Sequence, residues 1–201
     1  ALPPYRPHLL ARLITSLDKL SQGRFILGAG LGANDDEFLP FGETGDKKVR
    51  AAMLDEGLQV LTRLWTGEEV AFQGQYYRAE GTRLAHTPVQ KPHPPVWIGG
   101  DSPPALRRAA QWDGWFGGTC DEHCNTVTPP ERVAQIVATI YKHRTSPEPF
   151  EIALQGVTNP GQVEKILPYQ QAGATWWFES LFGLRGSIDE MMARIQAGPA
   201  K

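Results

Sequence analysis

Apolar positions recur along this chain at two spacings, which predict alternating helices and strands. Spacings of three and four residues predict helices over 9–20, 48–65, 103–111, 129–143, 160–171 and 187–196. Short, continuous apolar runs predict parallel strands over 24–30, 95–99, 114–117, 150–156 and 174–179. Because strands and helices alternate with short connections, the pattern indicates an α/β fold built from parallel βα units.

Local signals add detail to this pattern. The first helix has one leucine-rich face, made of Leu9, Leu10, Leu13, Ile14, Leu17 and Leu20. Gly23 is predicted to end that helix in the left-handed conformation. Residues 68–79 predict a β-hairpin with its turn at Gln73 and Gly74. Side chains alternate along a strand, so one of Trp176 and Trp177 is expected to face the helices and the other the opposite side.

Residues 95–110 carry the most specific local signal. An apolar strand is followed by Gly99 and Gly100, and Ser102 stands where it can cap a helix that begins at Pro103. A strand, a glycine elbow and a helix start expose backbone N–H groups at a positive dipole end, which suits the phosphate of a nucleotide or flavin. The alternative is an ordinary helix cap that needs no ligand.

Composition places the chain among globular proteins. It has 201 residues, of which 41% are hydrophobic and 21% are charged, and these values predict a single domain over 1–201. The formal net charge of -2 disfavours a nucleic-acid partner, and no apolar run is long enough to span a membrane. Two cysteines and no recognisable secretion signal favour a reducing, cytoplasmic location.

The two cysteines frame the main candidate for a metal site. Cys120 and Cys124 flank His123 and could offer three ligands to a metal. Structural zinc sites usually need four ligands, and the chain lacks a second pair, so the spacing favours a solvent-exposed loop. We therefore predict no metal site.

Periodicity alone leaves the fold and one motif open. Five parallel strands could form an open doubly wound sheet or part of a TIM barrel, which needs eight. The glycines at 28, 30 and 32 resemble a dinucleotide-binding fingerprint. That fingerprint should open directly into a helix, whereas here it leads into a polar loop over 34–45, so a nicotinamide site is disfavoured.

A longer resemblance decides between these folds. Residues 16–42, read SLDKLSQGRFILGAGLGANDDEFLPFG, resemble the signature region of the bacterial luciferase-like monooxygenases. Further matches follow in order at 56–58, 64–67, 88–90, 97–100, 113–115 and 173–179. The resemblance implies a TIM-barrel-like (β/α)8 fold that is incomplete here. On that pattern Ala1 falls just after the third barrel strand, and the five predicted strands correspond to strands 4 to 8.

The same resemblance implies a function. Members of the family are flavin-dependent oxidoreductases or monooxygenases that use reduced FMN or F420 on a small organic substrate. The family's catalytic histidine lies in the part of the barrel without a counterpart here, so no catalytic residue is assigned. Two alternatives stay open, a non-catalytic, truncated flavin-binding relative and a subunit completed by another chain. Homodimers are common in the family, so a homodimer is implied by analogy.

The resemblance also assigns cofactor-binding residues. Gly30, Leu31, Gly32 and Ala33 would border the flavin ring, and Gly99, Gly100, Asp101 and Ser102 would hold the phosphate end. In bacterial luciferase an arginine at the position of Leu31 contacts the phosphate, and that contact is absent here. Asp101 is awkward beside a phosphate, and a ribityl hydroxyl or a backbone N–H is an alternative partner. Glu37 lies at the rim of the barrel or is a solvated loop carboxylate.

Overall fold

The computed structural model describes residues 1–182 and 185–200. The chain forms two compact units, Ala1–Val96 (unit 1) and Trp97–Lys201 (unit 2). Five strands form one parallel sheet in the order β1-β4-β5-β6-β7, and β2 and β3 form a separate hairpin. The predicted α/β class and the five parallel strands are therefore confirmed, and over the described residues these strands form an open sheet with β1 and β7 at its edges. The assignment of the whole chain to one domain stays a prediction.

Unit 1 contains two long helices, one strand and the hairpin. Its elements are α1 (Pro7–Leu20), β1 (Leu27–Ala29), α2 (Lys47–Trp65), β2 (Val70–Gln73) and β3 (Arg78–Thr82). The predicted loop over 34–45 contains two short 3-10 turns, Asp35–Glu37 and Leu39–Phe41. Gly23 has φ +77°, and its N–H donates to the carbonyl of Asp18, so the predicted left-handed end of the first helix is confirmed.

Most leucines of helix α1 are exposed. Leu9, Leu13 and Leu20 are 56%, 53% and 81% exposed, whereas Ile14 and Asp18 are buried. The helix itself was predicted correctly, but on its predicted apolar face Ile14 is buried and Leu10 is half-buried, whereas the other four leucines are exposed. Asp18 can be buried because its carboxylate accepts hydrogen bonds from the N–H groups of residues 89 and 90.

The hairpin turn differs from its prediction. Gln73 pairs with Arg78, so the loop is made of residues 74–77 rather than centred on Gln73 and Gly74. The carboxylate of Glu56 on α2 accepts N–H groups from three consecutive loop residues, Gln75, Tyr76 and Tyr77, at 2.8, 2.8 and 3.1 Å. A side chain about 20 positions upstream therefore shapes this loop, and local turn propensity does not report it.

Removing the Glu56 carboxylate is expected to destabilise the hairpin. Glu56→Ala should lower the free energy of unfolding by about 2 kcal/mol, because three N–H groups lose a charged acceptor. Amide hydrogen exchange at residues 75–77 should accelerate in the same variant. Glu80→Ala, at an exposed position on β3, is the control. A fully stable Glu56→Ala protein would show that water replaces the carboxylate at no cost.

Unit 2 carries most of the parallel sheet. Its strands are β4 (Val96–Gly99, whose first residue belongs to unit 1), β5 (Gly114–Gly117), β6 (Glu151–Gly156) and β7 (Trp176–Glu179). Its helices are α3 (Pro103–Ala109), α4 (Pro130–His143), α5 (Leu167–Gln171) and α6 (Ile188–Gln196). The predicted helix over 160–171 is interrupted, with a 3-10 turn at Val163–Lys165 before α5. Pro168 explains this break, because its ring cannot continue a preceding helix.

The two faces of the sheet in unit 2 differ. Trp115, Ile152 and Leu154 point to the helical side and are fully buried. On the opposite face Trp176 and Phe178 are 45% and 42% exposed. Trp177 contacts Tyr169 of α5, with ring centroids 5.5 Å apart, so the two tryptophans point to opposite faces as predicted. A parallel sheet is normally covered on both faces, so the exposed aromatic face is typical of the interior of a barrel.

Candidate functional site

The carboxyl ends of the unit 2 strands lie at one edge of the sheet. β4, β5 and β6 each end in glycine, and β7 ends at Glu179. In a (β/α)8 barrel this edge carries the functional residues, because the loops that follow the strands meet there. Gly99 ends β4 and the predicted phosphate-binding residues 100–102 follow it, so this segment lies at the same edge.

Trp115 fixes the position of the elbow after β4. Its indole Nε1 donates to the carbonyl of Gly100 at 2.9 Å. Gly100 has φ +110°, which only glycine adopts readily. The tryptophan ring in turn requires Gly117, because a Cβ there would lie 2.3 Å from the ring. A buried side chain on the next strand thus holds the elbow in place.

Asp101 is committed to the backbone of the neighbouring loop. Its Oδ1 accepts the N–H of Gly118 at 3.2 Å, and the residue is half-buried. This is one of the alternatives that the sequence left open for Asp101. The carboxylate connects the loop after β4 to the loop after β5 and orients the edge of the sheet.

Ser102 occupies the N-cap position of α3, but its hydroxyl makes no capping hydrogen bond. The expectation that the Ser102 side chain caps this helix is therefore wrong. Pro103 and Pro104 fill the first two helical positions, and neither has an N–H to offer to a cap or an anion. The exposed hydroxyl of Ser102 is left available, while the first turn of α3 has fewer backbone donors than the sequence pattern predicted.

In unit 1 the predicted ring-contacting residues follow β1 directly. Around Gly30, nothing lies within 4 Å of the position that a Cβ would take, so its backbone is accessible. Gly32 has φ +85°, and a Cβ there would lie 2.2 Å from the ring of Phe38. Leu31 is half-buried and Ala33 is exposed. Gly30 therefore offers open space, whereas Gly32 is required for the packing of its own loop.

Arg50 was missed by the sequence analysis. It is fully buried on α2, and its guanidinium lies 4.0 Å from the ring centre of Phe38. Nη2 lies 3.4 Å from Asp35, while Nε and Nη1 have no hydrogen-bond partner. The signal was present in the sequence, since Arg50 is spaced four and eight residues from the buried Leu54 and Leu58. Its cation holds the loop after β1 against α2.

Glu179 forms the most highly connected polar group at the end of β7. Its carboxylate accepts the N–H and the hydroxyl of Thr158 at 2.7 and 2.5 Å and pairs with Arg185 at 2.5 Å and Arg194 at 3.3 Å. Burial by itself would raise the pKa of Glu179. The hydrogen bonds from Thr158 and Arg185, together with the charge of Arg185, outweigh burial and lower that pKa below its ordinary value.

The remaining candidate residues lie in loops, where the two cysteines are half-buried. Glu37 is exposed, and its carboxylate accepts the N–H of Asn34, which closes a capping box. Cys120 and Cys124 are free thiols, and Asp121 between them accepts the N–H of His123 at 2.9 Å. Over residues 1–182 and 185–200, no group of three or more His, Cys, Asp or Glu side chains is arranged to hold a metal. No helix in these ranges has the length and apolar character to cross a membrane.

Comparison with known proteins identifies the family. The sequence profile described as luciferase-like monooxygenase matches residues 1–161. The chain belongs to the luciferase-like monooxygenase family. This luciferase-like chain is 34% identical over 108 residues to an F420-dependent glucose-6-phosphate dehydrogenase of Nakamurella multipartita, a match that covers 53% of the chain and 31% of that enzyme.

Solved structures share the fold of this luciferase-like chain. An F420-dependent secondary alcohol dehydrogenase in complex with an F420-acetone adduct has a TM-score of 0.68 at 15% identity, covering 86% of this chain and 68% of that one. The oxygenating constituent of 3,6-diketocamphane monooxygenase from Pseudomonas putida, in complex with FMN, has a TM-score of 0.60 at 19% identity over 83% and 49%. Monooxygenase RslO1 from Streptomyces bottropensis has a TM-score of 0.61 at 23% identity over 83% and 51%.

These relatives agree with the predicted cofactor class, and they are longer than this chain. They include F420-dependent enzymes and an FMN complex, the two cofactors that the resemblance implied. The chain spans 31% of the length of the curated relative and 51% of RslO1. The sequence prediction of the family is therefore confirmed, and the assignment of residues 30–33 and 99–102 to the cofactor stays a prediction.

Proposed function

We propose that the protein is a flavin- or F420-dependent oxidoreductase or monooxygenase that acts on a small organic substrate. The match of the luciferase-like monooxygenase profile over residues 1–161 carries this proposal. The exposed aromatic face of the sheet supports it, since Trp176 and Phe178 occupy the side that forms the interior of a barrel. FMN or F420 would supply the redox chemistry, while the protein binds and orients it and excludes water.

Residues 30–33 fit the planar ring of such a cofactor. The open space at Gly30 lets a ring approach the backbone without meeting a side chain. Gly32 packs against the ring of Phe38, and this contact holds the conformation of the loop that follows Gly30. We assign Gly30, Leu31, Gly32 and Ala33 to the ring on this ground and on the family resemblance.

Residues 99–102 fit the phosphate end less completely than the sequence suggested. The Ser102 hydroxyl has no capping role and is exposed, so it can donate to a phosphate oxygen. Asp101 already accepts a backbone N–H and therefore acts by holding the loop. Gly99 and Gly100 allow the backbone to come close, with Gly100 fixed by the Trp115 indole. Ser102 is thus the residue of this segment that we expect to contact the cofactor most directly.

A second candidate is a flavin-binding protein without turnover, or a subunit completed by another chain. The exposure of Trp176 and Phe178 favours completion, because large aromatic side chains on a sheet face are normally covered. Binding of a cofactor without substrate-dependent oxidation or reduction would support the non-catalytic role. Turnover with either reduced cofactor would support the enzyme.

Cofactor binding tests the proposal directly. FMN and F420 should each be titrated into the protein, with fluorescence and calorimetry as readouts, and one of them is expected to bind saturably. Gly30→Val should weaken that binding by about tenfold or more, because a branched side chain fills the space proposed for the ring. Ser102→Ala should weaken it by about fivefold, the loss expected for one hydrogen bond to a charged group.

Matched variants separate binding from stability. Ala71→Val introduces the same side chain on an exposed strand position of the hairpin and should leave cofactor affinity unchanged. Ser187 caps α6 through its hydroxyl, so Ser187→Ala should cost about 1 kcal/mol of stability without changing affinity. Ser102→Ala should weaken cofactor binding without lowering stability. Binding of neither cofactor by the unmodified protein would refute the proposed function.

A further inference from the structure

A groove of about 570 Å³ lies in unit 1, between α1 and the segment 82–86 that begins at the end of β3. Its volume is within the range of small-molecule sites, which is roughly 300–1,000 Å³. None of the residues that line it is among those assigned to the cofactor, at 30–33 and 99–102. The groove is therefore a separate feature that the proposed function does not use.

Five basic side chains line this groove, and none of the lining residues is acidic. They are His8, Arg12 and Lys19 on α1, with Arg83 and His86 on the facing segment. Among the described residues, none of the five forms an ion pair. Arg12, Lys19 and Arg83 are cations that share one concave space and repel one another, and a bound anion relieves this repulsion. The concentration of positive charge is local, because the whole chain has a formal net charge of -2.

The positions on α1 explain how the basic side chains come together. Residues 8, 12 and 19 are spaced by four and seven, so they lie on one side of the helix. The exposed leucines Leu9, Leu13 and Leu20 occupy a neighbouring side and limit the basic surface to the groove. This boundary favours a compact anion over an extended polyanion such as nucleic acid, which needs a continuous basic face.

We infer that this groove binds a small phosphate ester or diphosphate. Arg12 on α1 and Arg83 on the segment 82–86 both line it, and a guanidinium is suited to paired hydrogen bonds with phosphate oxygens. Lys19 adds a further cation, and Leu64 and Leu84 offer apolar contact to the organic part of the ligand. The groove thus combines charge for the phosphate with an apolar surface for the group that carries it.

Calorimetry with inorganic pyrophosphate at low ionic strength tests the inference. Saturable binding is expected, and Arg12→Glu and Arg83→Glu should each weaken it by at least about tenfold. Lys47→Glu and Lys142→Glu make the same change of charge at exposed positions outside the groove and should alter affinity by less than about twofold. ADP should bind at least as tightly as pyrophosphate, and adenosine should not bind.

Each alternative result has a clear meaning. Absence of saturable pyrophosphate binding, or equal losses in the groove and control variants, would overturn the inference. Adenosine binding as tight as that of ADP would overturn the phosphate as the recognised group. If a charge reversal prevents folding, Arg12→Gln and Arg83→Gln replace it, with circular dichroism as the check. Gly30→Val, which lies outside the groove, should leave pyrophosphate affinity unchanged, so failure here is distinguishable from failure of the proposed function.

Discussion

Glu179→Gln is expected to lower the free energy of unfolding by about 3 kcal/mol, because it leaves two largely buried guanidinium groups without their carboxylate. The side chains of Arg185 and Arg194 are only 9% and 8% exposed, and that of Glu179 is 18% exposed. A further hydrogen bond holds one of the arginines in place, since Arg194 Nε donates to the carbonyl of Thr158 at 3.1 Å. Chemical denaturation of the variant and the unmodified protein measures the difference.

The pH dependence of stability should report the same carboxylate. The pKa of folded Glu179 lies below its ordinary value of 4.5, so its contribution is fully present above that value and is lost as pH falls through the folded pKa. Below about pH 4.5 the unmodified protein should therefore lose stability more steeply than Glu179→Gln does.

Glu164→Gln is the matched control for this experiment. Glu164 is exposed, and its replacement should change the free energy of unfolding by less than about 0.5 kcal/mol. A loss in Glu179→Gln no larger than in this control would show that water solvates both arginines. In that case the pH profiles of the unmodified protein and of Glu179→Gln should also coincide. The unfolding free energy and its pH dependence would then both contradict the prediction.

Asp18→Ala is expected to cost about 3 kcal/mol of unfolding free energy, because it removes a fully buried carboxylate that accepts three hydrogen bonds. Asp18 is fully buried and accepts the N–H groups of Val89 and Gln90 at 2.6 and 3.0 Å. The side-chain amide of Gln90 donates to it at 2.7 Å and also donates to the carbonyl of Phe25. One carboxylate thereby connects α1, the segment before β1 and the proline-rich segment that leads to β4.

Hydrogen exchange at residues 89 and 90 should accelerate in Asp18→Ala, which locates the loss. Asp18→Asn is a stricter test of charge, since the amide keeps the shape but offers a single acceptor oxygen. Asp36→Asn, at an exposed loop position, is the control and should be close to the unmodified protein. Equal stability of Asp18→Ala and the control would show that this segment is held by its prolines instead.

Much of the fold was predictable because its signals are local. The strands at 96–99, 114–117 and 151–156 are short apolar runs, and the long helices show regular spacing of apolar residues. The exceptions have identifiable causes. Pro168 interrupts the helix predicted over 160–171, and Glu56 moves the hairpin turn from a position about 20 residues away.

The candidate site was predictable in position but not in detail. Ordered matches to the family located residues 30–33 and 99–102 at the ends of strands, where the structure has them. The roles of Asp101 and Ser102 depend on partners in other loops and on two consecutive prolines. Arg50 stood among leucines at helical spacing and could have been recognised as buried from that pattern alone.

The sequence by itself determined the elements, the α/β class and the luciferase-like family, because each depends on local periodicity or on an ordered set of motifs. Only the tertiary structure decided which side of α1 is buried, that Asp18 and Glu179 bind several donors, and that five basic side chains share one groove. Residues far apart in sequence form these contacts, and their energy depends on burial and on distances that folding alone creates.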